Sequence, residues 1–264
     1  MRTISSRQND VVRRFRELAG TPDPEGREVL LDGVHLVQDA HRAGTTLDVV
    51  AVAAGKAYGD DEAGVLARGL ADAGVELVIA HDQVFEAMSP VRTPSGIVAI
   101  ARREPLSPAD ICARAGFIVA AADIQDPGNL GSLLRAAEAG GADGVLVCGT
   151  SANPFSWKAV RGSMGSALRL PVASAPSLED ATACMKASGL RTVASVPRGG
   201  QAPDRVDWTG KVGLLLGGEG PGLPPALVEA ADARVTIPMA APVESLNVAV
   251  AGALLVYAAR AQRV

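Results

Sequence analysis

Aromatic residues make up only 3% of this 264-residue chain, and cysteine is limited to Cys112, Cys148 and Cys184. With so few rings, core volume must come from Val, Leu and Ala. An odd number of distant cysteines with no Cys-x-x-Cys excludes a disulfide framework and a zinc ribbon, and predicts buried small hydrophobes. Lysine is rare as well, since arginine supplies 21 of the 25 basic residues. That excess suits phosphate contacts, but a GC-rich coding bias produces it equally well. Long apolar runs are missing: Val248–Ala259 is too short to cross a bilayer and contains Gly252. The opening MRTISSRQNDVVRRFREL holds no apolar core of a signal peptide, so a cytoplasmic protein without a membrane segment is expected. A formal charge of −4 argues against indiscriminate coating of nucleic acid and leaves room for a local basic patch.

Nearly half of the residues are apolar, in alternating strand-like and helix-like segments. Before residue 102 the pattern predicts strands at Val29–Asp32, Leu47–Ala53, Val75–Ala80 and Ile97–Ala101, with helices at Val34–Arg42, Glu62–Ala73 and Gln83–Met88. Arg102–Ala115, polar and carrying Pro105 and Pro108, reads as a linker with a boundary near Leu106, giving domains 1–105 and 106–264. Beyond it the pattern predicts strands at Phe117–Ala122, Gly144–Cys148, Leu170–Ala173, Thr192–Val196, Val212–Leu216 and Arg234–Ile237. Helices are expected at Leu130–Ala139, Phe155–Ala167, Leu178–Ala187 and Leu246–Ala261. Near-continuous apolar strands such as Val212–Leu216 imply a largely parallel sheet covered on both faces, with ligands beyond the strands' carboxyl ends.

Three segments carry chemistry. In Asp123–Arg135 a strand exit and the turn residues Asp126–Asn129 lead into a helix whose stripe Leu130, Leu133, Leu134 and Ala137 is buried, pointing Gly131, Ser132 and Arg135 away from the core. A guanidinium there can grip a phosphate or polarise a hydroxyl, although Asn129 as a plain cap and Arg135 as a solvated arginine explain the segment too. The strand Val212–Leu216 runs into Gly217-Gly218-Glu219-Gly220-Pro221-Gly222, which lets the backbone approach a ligand. Its glycine spacing fits neither the dinucleotide fingerprint nor a P-loop, and Glu219 among glycines is unusual. The third segment enters the last helix through Glu244–Val248, with Ser245 as the expected cap, Leu246, Val250, Leu254 and Tyr257 as the expected buried face, and Asn247 as an amide in need of partners.

Together these segments resemble the three motifs of the SpoU/TrmH family of SPOUT RNA methyltransferases, through Asn129, Gly131 and Arg135, then Gly218-Glu219-Gly220, then Ser245-x-Asn247. The resemblance is strong from about Phe117 to the end of the chain. Residues 1–101 are more weakly similar to the ribosomal-protein-related (L30e-like) substrate domain of rRNA-directed members, through Asp32-Gly-Val-His-Leu-Val37 and Ser89–Ile97.

The resemblance implies an α/β-knot domain, a deep trefoil knot with a largely parallel sheet, behind a smaller N-terminal α/β domain. It implies a homodimer that uses S-adenosylmethionine and no metal to methylate a ribose 2′-hydroxyl of structured RNA, with rRNA favoured. Cofactor loops would be Ala194, Ser195, Val196 and Pro197, then Leu216, Gly217 and Gly218, then Ile237, Met239, Ser245 and Leu246. Arg135 would act on the ribose hydroxyl, with Asn129, Glu219, Ser245 and Asn247 completing the pocket. Because arginine stays protonated, Arg135 is expected to stabilise a developing alkoxide or align a phosphate rather than serve as a base.

Arg13 and Arg14 are candidate RNA contacts, equally readable as a solvated helix face, and Lys158 and Arg161 are favoured candidates because they fall within the expected catalytic domain. The histidines His35, His41 and His81 show neither metal spacing nor a matched nucleophile. Competing readings are a tRNA 2′-O-methyltransferase, a non-catalytic RNA-binding assembly factor that keeps the knot, and a metabolic α/β enzyme with a nucleotide at the glycine loop.

Overall fold

The computed structural model describes residues 2–263 apart from Glu219 and Pro221. It divides into two compact units, the first running to Pro105 and taking in Phe155–Leu168, the second comprising Leu106–Pro154 and the chain from Arg169 onward. Residues 155–168 group with the front of the chain, so the segment bearing Lys158 and Arg161 is part of the first unit.

The first unit contains β1 (Arg2–Ile4), β2 (Glu28–Asp32), β3 (Thr46–Ala53), β4 (Leu77–Ala80) and β5 (Ile97–Arg102) in a mixed sheet of order β1-β4-β3-β5-β2. β1, β4 and β3 run parallel, whereas β5 is antiparallel to both neighbours. The helix Asp10–Gly20, capped by Asn9, buries Val12, Phe15 and Leu18 against this sheet's core. Phe155 sits against Gly26 and beneath the Arg103 guanidinium, 3.9 Å from its ring centre, and Trp157 joins the same core. The expected single helix Phe155–Ala167 is two short ones, Trp157–Gly162 and Ser166–Arg169, because Met164 and Gly165 take left-handed φ of 50° and 80°.

The Asp32 and Ser89 phrases have a structural use in this unit. Ser89 Oγ donates to Asp32 Oδ1 at 2.8 Å, and Gly33, at φ 105°, donates its amide to Ile97 O, so the loop 89–96 is tied to the end of β2. Burial pushes the Asp32 carboxyl above the usual carboxylate range, opposed by the Ser89 hydrogen bond and the nearby Arg161 charge.

The second unit contains β6 (Phe117–Ala122), β7 (Gly144–Cys148), β8 (Val172–Ala175), β9 (Arg191–Ser195), β10 (Val212–Leu216) and β11 (Ala233–Val235). Among the described residues they form an all-parallel sheet of order β11-β9-β10-β6-β7-β8. Every residue of β6, β7 and β10 is buried, as a sheet covered on both faces requires. The expected linker is partly a helix, Pro108–Arg114, whose start is a capping box between Ser107 and Asp110 with Pro108 in the first turn. Its Ile111 and Cys112 are buried. Cys148 is buried too, and burial pushes both the Cys112 and Cys148 thiols up to about 12, whereas Cys184 is half-buried.

The last helix corrects the expected burial pattern. It spans Val248–Arg263, and Val248, Ala249, Gly252, Leu255, Val256 and Ala259 face inward. Leu246, Val250, Leu254 and Tyr257 are instead 37%, 49%, 48% and 52% exposed. The helix is apolar on two sides, and the side that packs is the one with small residues: a Cβ on Gly252 would collide with Leu133 on the helix Pro127–Ala139, and one on Gly140 with Val256. Close approach between these two helices therefore selects the glycine-bearing face.

Candidate active site

The carboxyl ends of β6, β10 and β11 are where the three chemistry-bearing segments emerge, beside the end of β9. Asp126 caps the helix Pro127–Ala139 by accepting from the Asn129 amide at 2.8 Å, with Pro127 at the first helical position. Asn129 is thus inside the first turn and is not the cap. Gly131 is buried rather than outward-facing, and Ser132 and Arg135 are exposed.

Asn247 caps the last helix in place of Ser245. Its Oδ1 accepts from the amides of Ala249 at 2.9 Å and Val250 at 3.3 Å, which leaves Nδ2 to donate to Asn129 Oδ1 at 3.0 Å. The helix start fixes which way the Asn247 amide is turned, and that orientation joins the first segment to the third.

Close backbone packing defines the middle segment. A Cβ on Gly218 would land on the carbonyl oxygens of Ala122 and Asp123, and one on Gly217 on the backbone of Gly222 and Leu223. These glycines admit the chain's own backbone at close range. Asp123, at a left-handed φ of 57°, accepts from the amide and hydroxyl of Thr150, both at 2.9 Å, and so pins the exit of β6 to that of β7. Opposite, Thr236 Oγ1 accepts from Gly200 N at 2.9 Å and donates to Val196 O at 3.0 Å, clamping the loop after β9 to the loop after β11.

Between these loops lies a cleft of about 880 Å3, within the roughly 300–1,000 Å3 range of small-ligand sites. Of the expected cofactor residues, Ser195, Val196, Pro197, Leu216, Gly217, Gly218, Ile237, Met239, Ser245 and Leu246 line it, and so does Asn247. Ala194 does not, because it is fully buried within β9. Arg135 and Asn129 are not among the lining residues, although Asn129 touches Asn247. Glu219 lies outside the described residues.

Arg198, Leu223, Glu229 and Arg234 also line the cleft and were not anticipated. Arg198 directly follows Ser195–Pro197, so its place on an already suspected loop was the available signal. Two of the expected RNA contacts are engaged within the protein: Arg13 pairs with Asp10 at 2.9 Å, and half-buried Arg14 pairs with Glu28 and Asp48. Lys158 and Arg161 are exposed.

The walls suit S-adenosylmethionine in their chemistry. Leu216, Ile237, Met239 and Leu246 offer an apolar surface for a purine, while glycine backbone and Ser195 offer hydrogen-bonding groups, with no cluster of metal-binding side chains among the described residues.

Fold and site together define an α/β protein with a small-ligand cleft at the carboxyl edge of a parallel sheet. The profile of the SpoU rRNA Methylase family matches residues 116–257. An uncharacterised tRNA/rRNA methyltransferase of Synechocystis is 32% identical over 99% of this chain and 94% of its own length. The 23S rRNA (guanosine(2553)-2′-O)-methyltransferase RlmP of Bacillus subtilis is 29% identical over 97% of this chain and 98% of its own. Among solved structures, an AdoMet-bound rRNA methyltransferase from Sinorhizobium meliloti superposes with a TM-score of 0.85 at 29% identity, covering 99% of this chain and 98% of that one. The AdoMet complex of the SpoU methyltransferase AviRb from Streptomyces viridochromogenes gives 0.83 at 27% identity, covering 97% and 98%. The chain belongs to the SpoU rRNA methylase family and is an RNA methyltransferase.

Proposed function

We propose that this protein transfers a methyl group from S-adenosylmethionine to a ribose 2′-hydroxyl of 23S rRNA. The observation that carries the reading is the Asn129–Asn247 hydrogen bond, which joins the first and third motifs at the edge of the cleft that the second motif helps to line. The RNA named for the Bacillus subtilis relative, aligned along almost the whole of both chains, supports 23S rRNA as the substrate.

When bound, S-adenosylmethionine supplies a methyl group carried on a sulfonium. Leu216, Ile237, Met239 and Leu246 would hold the adenosyl part against apolar walls, with the backbone of Ser195–Pro197 and Gly217–Gly218 giving hydrogen bonds. Asn247, held by the helix start, orients Asn129, and the pair presents amide groups to the acceptor ribose. Arg135, protonated and exposed, stabilises negative charge on the 2′-oxygen or aligns the neighbouring phosphate. Ser245 and Glu219 complete the pocket in this reading.

The finer architecture belongs to the same proposal. A trefoil knot is supported by the strand order, in which β11 lies outside β9 while β10 lies between β9 and β6, and by the clamp of Gly200 against Thr236. The first unit, a mixed α/β sheet, is read as an L30e-like RNA-binding domain, with exposed Lys158 and Arg161 among its contacts. A homodimer is supported by exposed Val250, Leu254 and Tyr257, an apolar stripe on a helix that a lone chain would leave in water, and in this reading it works in the cytoplasm. Mapping of 2′-O-methyl sites in 23S rRNA from cells with and without the gene tests the substrate. One site should vanish with the gene and return with a plasmid copy, and an unchanged map would refute it.

A further inference from the structure

The cleft mouth carries a cation that the proposed reaction has not used. Arg198 lines the cleft and its guanidinium lies 3.8 Å from Glu244 Oε1, each side chain being 84% exposed. The pair bridges the loop after β9, which holds Val196 and Pro197, and the loop leading to Asn247. Arg234, the other arginine of the lining, is turned to the Val228 carbonyl at 3.1 Å, and Arg135 lies outside the lining.

We propose that Arg198 holds a phosphate of the RNA next to the acceptor ribose, and that Glu244 is the counter-ion this phosphate replaces. The inference rests on the reading of the cleft as the methyl-transfer site. An ion pair this exposed and this long contributes little, so exchanging it costs little. A phosphodiester offers the guanidinium two oxygens in a matching fork, a stronger partner than a solvated carboxylate at that distance. The carboxylate is a weak, exchangeable neighbour of the arginine while RNA is absent, and its charge opposes the RNA backbone. Since any RNA has such a phosphate, Arg198 adds affinity and register and no sequence choice.

The test measures binding of a 23S rRNA fragment and of S-adenosylmethionine separately, by filter binding and calorimetry, for wild type, Arg198→Ala, Arg198→Lys and Glu244→Gln. Arg198→Ala should weaken RNA binding about tenfold, as loss of one charge-assisted hydrogen-bonding group does. It should also reduce the slope of log affinity against log salt by about one. Arg198→Lys should keep the slope and recover part of the affinity, and Glu244→Gln should tighten RNA binding. In turnover the Arg198→Ala loss should fall on KM for RNA, with cofactor affinity unchanged. Unchanged RNA affinity and slope in Arg198→Ala, or a loss confined to S-adenosylmethionine, would overturn the inference. Wild type that binds the cofactor and no RNA would instead sink the functional reading beneath it.

Discussion

The two units share an α/β composition and use their polar residues in opposite ways. In the first, the side chains that stand out in the sequence are spent on structure: Asp32 on Ser89, Arg14 on Glu28 and Asp48, Arg103 on Phe155. In the second, strand exits, glycines and an asparagine cap build a cleft whose walls are still open to a ligand. In an all-parallel sheet every strand's carboxyl end points to the same edge, so the loops that leave the strands gather there, whereas a mixed sheet sends them to both edges. Reactive geometry accumulates where the loops converge, and the comparison teaches that a polar motif marks chemistry only when the fold leaves it something to bind.

Substitution at Asn247 probes that contrast with the largest expected effect. Asn247→Ala removes the cap and the contact to Asn129, and should lower methyl transfer roughly a hundredfold, the scale of losing one aligned hydrogen-bonding group. It should also cost about 1 kcal/mol of stability through the lost cap. Asn247→Asp keeps an oxygen for the Ala249 and Val250 amides and loses the donor to Asn129, so its Tm should stay near wild type while transfer falls. Full methyl transfer retained in Asn247→Asp would reduce Asn247 to a cap.

Gly218→Ala comes next. A methyl at this position meets the carbonyls of Ala122 and Asp123, so the loop must move, with a cost of about 1–3 kcal/mol in denaturant unfolding and a weaker cofactor complex in calorimetry. Unaltered cofactor affinity would show that the glycine loop is not a wall of the working site.

Asp32→Asn, in the first unit, should change stability and leave cofactor binding alone. Burial raises the Asp32 pKa, so the folded state holds the proton to higher pH than the unfolded chain. Stability from this group therefore falls as pH rises from the usual carboxylate value through the raised one. The Tm of Asp32→Asn minus that of wild type should grow over this window and level off at neutral pH. A difference that shrinks as pH rises would contradict the assigned cause.

Much of this organisation was legible in residue order. Helices Val34–Arg42 and Leu178–Ala187 and strand Val212–Leu216 match their periodicity because one pattern dominates each. The helix Pro108–Arg114 was hidden by two prolines read as breakers, although Ser107 and Asp110 carried a start signal. The packed face of the last helix was not legible, since Val250, Leu254 and Tyr257 look more like core than Ala249, Gly252 and Ala259 do. The approaches of Leu133 to Gly252 and of Val256 to Gly140 decide between them. Membership of residues 155–168 in the first unit is a tertiary fact without a local signature. At the site, Gly218, Ser245 and Asn247 line the cleft, whereas Asn129 and Arg135 lie outside its lining and Ala194 misses it because it sits inside β9.

The central claim is methyl transfer to a ribose oxygen at this cleft. It is tested most directly by incubating the purified protein with tritium-labelled S-adenosylmethionine and 23S rRNA, digesting the product to nucleosides and locating the label. The account predicts label in a single 2′-O-methylnucleoside, reduced about a hundredfold with Asn247→Ala and absent with RNA bearing 2′-deoxyribose at that position. Label on a base, or none on any RNA despite bound cofactor, would contradict it.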